Sequence, residues 1–117
     1  AAPLKTALAQ AKDFVVLESI EDSIAEGIVA KESYCSPKAI RALQESQGYV
    51  IEVTDQEIVD ALHTIIRTEL IFPEPTSAAV YAALPKLKKA NPQSLIVAIN
   101  TGSGMKFLPE ILQSLSR

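Results

Sequence analysis

Apolar residues recur at Leu4, Ala7, Leu8 and Ala11 behind Pro3. This is the spacing of one helix face with proline in its first turn, and it predicts a helix over 4–12 that ends near Asp13. Phe14, Val15, Val16 and Leu17 then form an unbroken apolar run, too brief for periodicity to separate a buried strand from a turn of helix; we read it as a strand. Ser19 is a candidate cap for a short helix through Asp22, Ile24 and Ala25 that stops at about Gly27, and 31–35 reads as a loop. Ser36 followed by Pro37 is a cap and first-turn pair, with Ala39, Ile40 and Leu43 as the apolar face of a helix that Gly48 ends.

The clearest unit follows. Tyr49, Val50, Ile51 and Val53 suit a pleated strand, and Thr54 with Glu57 makes a capping box for a helix over 55–70. Ile58, Ala61, Leu62, Ile65 and Ile66 share one face of that helix, while Asp60, His63 and Arg67 fall on the other. Pro73 and Pro75 impose an extended loop, after which Thr76 or Ser77 caps a helix whose Ala78, Ala79, Ala82 and Ala83 permit close packing; Pro85 is expected to bend it. The unbroken apolar run from Leu95 to Ile99 reads as a parallel strand buried on both faces. Asn100, Thr101, Gly102, Ser103 and Gly104 turn the chain, and Leu108, Ile111, Leu112 and Leu115 outline a last amphipathic helix. This alternation predicts an α/β fold over 1–117 as a single domain: a parallel sheet with flanking helices, holding 49–53 and 95–99 in one sheet.

Charge and composition remove several function classes. With 117 residues, 48% of them hydrophobic, there is enough for one small core. The net charge of -3 comes from interspersed acids and bases, so no basic stripe is available to a nucleic acid. No apolar run approaches the ~20 residues of a membrane span, and no secretory leader pattern opens the chain. A soluble cytoplasmic protein is therefore expected. One cysteine, Cys35, and one histidine, His63, argue against a disulfide or a metal site. The chain begins Ala1-Ala2-Pro3 without methionine, which suggests trimming or an internal segment.

Two places carry candidate chemistry. Thr101-Gly102-Ser103-Gly104 lies between a predicted strand and a predicted helix, the position at which open α/β sheets bind ligands. Glycines there let backbone approach a ligand and the hydroxyls can bond it, although a capped strand-to-helix turn accounts for the same residues. Glu74 is held between two prolines and backed by small residues; on local grounds a solvated loop acid is the more ordinary reading, and a directed carboxylate is the functional one. Lys106, just beyond the turn, is an anion ligand or an ordinary surface lysine.

The order of the pieces carries a resemblance. Asp22-Ser23-Ile24-Ala25-Glu26-Gly27-Ile28, then the run from Gly48 to Ile58, then Glu74-Pro75-Thr76-Ser77-Ala78-Ala79, then Thr101-Gly102-Ser103-Gly104-Met105-Lys106 resemble the C-terminal stretch of threonine synthases, in the tryptophan-synthase-β superfamily of pyridoxal-phosphate enzymes. The resemblance implies the C-terminal part of the large domain of a fold type II enzyme that uses pyridoxal phosphate, and a parent that converts O-phosphohomoserine and water to threonine and phosphate. It implies that Thr101 faces the cofactor's pyridine nitrogen, that Glu74 lies near the ring, and that Gly102, Ser103 and Gly104 form the cofactor-binding turn. The family's Schiff-base lysine and phosphate loop lie upstream of the matching stretch, so no catalytic residue is expected in this chain and Lys106 is a poor candidate for the covalent lysine. Phe107 stands where the family usually has Asp, which removes a salt bridge there. The expected partners are the N-terminal remainder of the enzyme, a small amino-acid substrate and a second copy in a homodimer. A threonine or serine dehydratase part, or a non-catalytic ligand- or partner-binding module, are the alternatives.

Overall fold

In a computed structural model the described residues are 2–108 and Gln113. Four helices form: α1 (Pro3–Ala9), α2 (Ser36–Glu45), α3 (Asp55–Glu69) and α4 (Pro75–Ala90), with 3-10 turns at Glu26–Ile28 and Gly104–Phe107. The chain divides into two compact units, Ala1–Asp22 with Val29–Glu52, and Ser23–Ile28 with Val53–Arg117.

In the first unit α1 packs on α2, burying Ala7 and Ile40. Lys5 pairs with Glu52, and the Leu17 N–H donates to the Lys31 carbonyl at 2.8 Å. Both helices end alike. After α1 the N–H groups of Ala11 and Lys12 donate to the Leu8 and Ala7 carbonyls; after α2 those of Gln47 and Gly48 donate to Gln44 and Leu43. These reversed pairs satisfy carbonyls the helix leaves over, and they require a left-handed residue, which here is Ala11 (φ 50°) or Gln47 (φ 55°) instead of glycine. Gly48, expected to end α2, sits one position beyond the left-handed residue. Cys35, not Ser36, is the α2 N-cap, and the buried Ser36 hydroxyl has no hydrogen-bond partner.

The second unit is built on α3 against α4. Thr54 and Glu57 form the expected capping box. The core is Ile58 and Leu62 of α3, Ala78 and Ala82 of α4, and Ala25, with Val53, Ala61 and Ala79 packed against it. Removing a side chain the size of Leu62 from water stabilises by about 1.5–3 kcal/mol, and the alanines opposite bring the two helix backbones close enough to achieve it. The predicted helix after Ser19 does not form. Instead Ser23 donates to Asp55 Oδ1 at 2.5 Å, the Ile24 N–H to Asp55 Oδ2 at 3.2 Å, and the Gly27 N–H to Thr76 Oγ1 at 3.1 Å. These bonds hold the loop to the starts of α3 and α4 and press Ala25 into the core.

The expected sheet is absent among the described residues. Segments 14–17, 49–53 and 95–99 join no ladder, and the one bridge, Pro73 with Ser103, is antiparallel. The reason is physical: a strand needs neighbours on its hydrogen-bonding edges, and the described residues supply none to these segments. Leu95, Val97 and Ile99 are consequently 93%, 81% and 70% exposed, where burial on both faces was expected. The predicted helix from Leu108 to Leu115 lies outside the described residues.

Two outcomes follow for stability. Left-handed geometry costs a side-chain-bearing residue roughly 1–2 kcal/mol, of which glycine's greater chain entropy returns about half; Gln47→Gly should therefore raise stability by about 0.5–1 kcal/mol, read as a higher urea midpoint at unchanged slope. Glu57 accepts from Lys86 at 2.9 Å and from the Thr54 N–H at 2.8 Å, and these bonds hold its carboxyl below the ordinary glutamate range. A depressed carboxyl stabilises fully above its unfolded value of about 4.3 and ceases to do so as pH falls through the folded one. Urea midpoints measured downward from pH 5 should fall less steeply for Glu57→Gln than for the parent.

Candidate functional site

The site forms where the start of α4 meets the turn after 95–99. Pro73 and Pro75 hold Glu74 extended (φ -69°, ψ 158°), and Pro75 opens α4 where a missing N–H costs nothing. The Glu74 N–H donates to the Gly102 carbonyl at 3.1 Å and the Gly104 N–H to the Phe72 carbonyl at 2.8 Å, which zips 72–74 antiparallel to 102–104. Ser103 is the cap of the following 3-10 turn, its hydroxyl accepting from the Met105 N–H at 3.3 Å.

Ser77 ties the turn to the helix. Expected as a possible cap, it lies inside α4, fully buried, with Glu74 at the cap position. Its Oγ accepts from the N–H groups of Thr101 at 3.0 Å and Gly102 at 2.8 Å, and stands 2.8 Å from Thr101 Oγ1. Thr101 is exposed. Its hydroxyl is held by Ser77 at 2.8 Å in a part-buried contact. Nothing local in the sequence marks Ser77 apart from its neighbours; its small side chain one turn into an alanine-rich helix is the only hint.

Gly102 leaves the space that the Glu74 carboxylate occupies. A Cβ at 102 would lie 2.3 Å from Glu74 Oε1 and 2.5 Å from its Cδ, so the carboxylate rests directly over the glycine. No glycine here has positive φ, so the requirement is space and not backbone conformation. All five residues proposed from the sequence thus come together: Thr101, Gly102, Ser103 and Gly104 in the turn, and Glu74 across it. The Lys106 and Phe107 side chains lie outside the described residues. Cys35 is exposed in the other unit, and His63 sits in α3 with its buried Nε2 unpartnered. No group of three metal-ligating residues occurs among the described residues, and no helix among them is long and apolar enough to cross a membrane. A groove of about 520 Å³ between α3 and α4 is lined chiefly by aliphatic groups, and Glu57 and Lys86 at its rim pair with each other.

The turn thus places a neutral hydroxyl beside glycine backbone, with a carboxylate across from it. Comparison with known proteins shows the family. The family model for pyridoxal-phosphate dependent enzymes matches residues 1–102. Threonine synthase from Methanocaldococcus jannaschii is 40% identical over 100 residues, covering 83% of this chain and 24% of that protein. The threonine synthase of Halalkalibacterium halodurans is 37% identical over 95 residues, 76% of this chain and 25% of that protein. The chain therefore spans about a quarter of the length of these relatives. Among solved structures, a fungal L-serine ammonia-lyase from Rhizomucor miehei superposes with a TM-score of 0.64 at 14% identity, over 97% of this chain and 38% of that one. That likeness concerns the fold.

The Glu74–Gly102 contact leads to a direct test. Gly102→Ala should destabilise by roughly 1–3 kcal/mol, as overpacking does, unless the carboxylate is removed. Adding Glu74→Ala should return most of that loss, so that the two changes are non-additive in thermal unfolding. Additive losses would show that Glu74 does not lie over the turn.

Proposed function

The chain belongs to the pyridoxal-phosphate dependent enzymes, whose family model it matches over residues 1–102, and from that membership we propose that it is the C-terminal portion of a threonine synthase, forming the side of the site that faces the cofactor's ring nitrogen. The parent reaction would convert O-phosphohomoserine and water to threonine and phosphate, in a cytoplasmic enzyme assembled with an N-terminal part that carries the covalent lysine. The observation that carries this reading is the hydroxyl of the exposed residue Thr101, backed at 2.8 Å by the buried Ser77. Relatives named threonine synthase at 37–40% identity support the choice of reaction over that of the ammonia-lyase, which shares only the fold.

The residues present fit the cofactor. Pyridoxal phosphate, when bound, supplies an electron sink for the substrate's amino carbon. Thr101 would meet the pyridine nitrogen as a neutral donor, Gly102 and Gly104 would let the backbone approach the ring, and Glu74 would stand at its margin. A neutral hydroxyl cannot stabilise a protonated ring nitrogen as a carboxylate does, so the sink stays moderate and chemistry at the side-chain carbons is favoured over transamination. The exposed 95–99 segment fits the same reading. We place it, with 49–53, in a parallel sheet completed by the rest of the enzyme.

Thr101 substitutions in the complete enzyme test the assignment. Thr101→Val removes one hydrogen bond worth about 0.5–1.5 kcal/mol, so turnover should drop roughly two- to twelvefold at unchanged melting temperature. Thr101→Asp should instead raise the fraction of transamination by-product. Unchanged rate and product ratio in both variants would leave the turn as a structural cap only.

A further inference from the structure

We propose that Ser77 is a positioning residue that sets the direction of the Thr101 hydroxyl, compelling it to present its proton outward to the cofactor's ring nitrogen. The inference rests on the reading of Thr101 given above and extends it to a residue that touches no ligand. A serine hydroxyl has two lone pairs and one proton. Both lone pairs of Ser77 Oγ are taken, by the N–H groups of Thr101 at 3.0 Å and Gly102 at 2.8 Å. Backbone amides can only donate, so this polarity is not reversible. The remaining contact, 2.8 Å to Thr101 Oγ1, must then use the Ser77 proton, with Thr101 as acceptor. Thr101 cannot return its own proton to Ser77, because no lone pair is left to receive it.

Because Thr101 is exposed, its proton turns to whatever lies in front of the turn. A group so arranged favours an acceptor, such as an unprotonated pyridine nitrogen, over a protonated one, which would itself need to donate. Ser77 is fully buried and shielded from water, so no solvent molecule substitutes for it. The two amide bonds hold the Thr101 and Gly102 backbone on Ser77, and the single contact to Thr101 Oγ1 directs the side chain. The ring's protonation state would thus be governed one residue behind the contact.

The test is a double-mutant cycle read by the ¹⁵N chemical shift of ring-labelled pyridoxal phosphate in the complete holoenzyme, using Ser77→Ala, Thr101→Val and both together. Ser77→Ala should move the shift away from the parent value in the direction that Thr101→Val moves it. In the Thr101→Val background it should add nothing. A parent-like shift in Ser77→Ala, beside a displaced one in Thr101→Val, overturns the role of Ser77 and leaves Thr101 in place. An equal Ser77→Ala displacement in both backgrounds also overturns it, since Ser77 would then act by another route. A parent-like shift in Thr101→Val overturns the reading of Thr101 itself. Should Ser77→Ala fail to hold cofactor, neutron diffraction of the unaltered protein decides: deuterium on Ser77 Oγ aimed at Thr101 Oγ1 supports the proposal, and deuterium on Thr101 aimed at Ser77 overturns it.

Discussion

The contact between α3 and α4 places the turn at 101–104 through the first turn of α4. Ile58 and Leu62 reach the core only because Ala78 and Ala82 leave room for the two backbones to approach. Larger residues on α4 would separate the helices, and the loop that holds Ala25 against them would lose its seat. Once α4 is fixed, so is its first turn. Ser77 precedes Ala78 by one residue, so the burial that anchors the helix also fixes the hydroxyl that receives the Thr101 and Gly102 amides. Packing energy is in this way converted into the placement of a turn.

The opposite condition holds at 95–99. Exposure alternates along the run, with Leu95, Val97 and Ile99 outward and Ile96 and Ala98 partly covered. This is the period of a strand without the ladder of one. Backbone groups in an extended apolar segment need partners, and large exposed aliphatic residues favour burial. Both needs point to the same remedy, a neighbouring strand, which agrees with a chain that spans about a quarter of its relatives.

The helices were largely legible because their causes are local. The Thr54–Glu57 box and the apolar face of α3 are set within a few residues, and the bounds of α3 agree with expectation to one position at its end. Periodicity failed where the partner was distant. The 49–53 and 95–99 runs read as strands from their composition, but composition does not say whether a neighbour is present. The short helix after Ser19 failed for a related reason. Asp55, more than thirty residues away, takes the Ser23 hydroxyl and the Ile24 amide and holds the segment open. Thr101 to Gly104 and Glu74 were singled out by local pattern and given roles by resemblance, and the pairing of 72–74 with 102–104 brings them together. Ser77 reads from sequence as a helix cap because a buried hydroxyl bonding 24 residues ahead leaves no trace in its immediate neighbours.

The run Glu74-Pro75-Thr76-Ser77-Ala78-Ala79 therefore serves several demands at once, which explains why its residues are small. Glu74 covers Gly102, Thr76 receives the Gly27 amide, Ser77 holds the turn, and Ala78 and Ala79 pack on α3. A side chain added anywhere in the run disturbs a second element as well as α4. Site and core are consequently not separable in this unit: a change that loosens α4 displaces the hydroxyl pair, and a change at Ser77 leaves two part-buried amides unbonded. An unpaired buried amide costs about 1–3 kcal/mol, comparable to burying one leucine side chain. The two kinds of failure thus carry similar weight. That parity is what couples the chemistry of the turn to the stability of the helix beneath it.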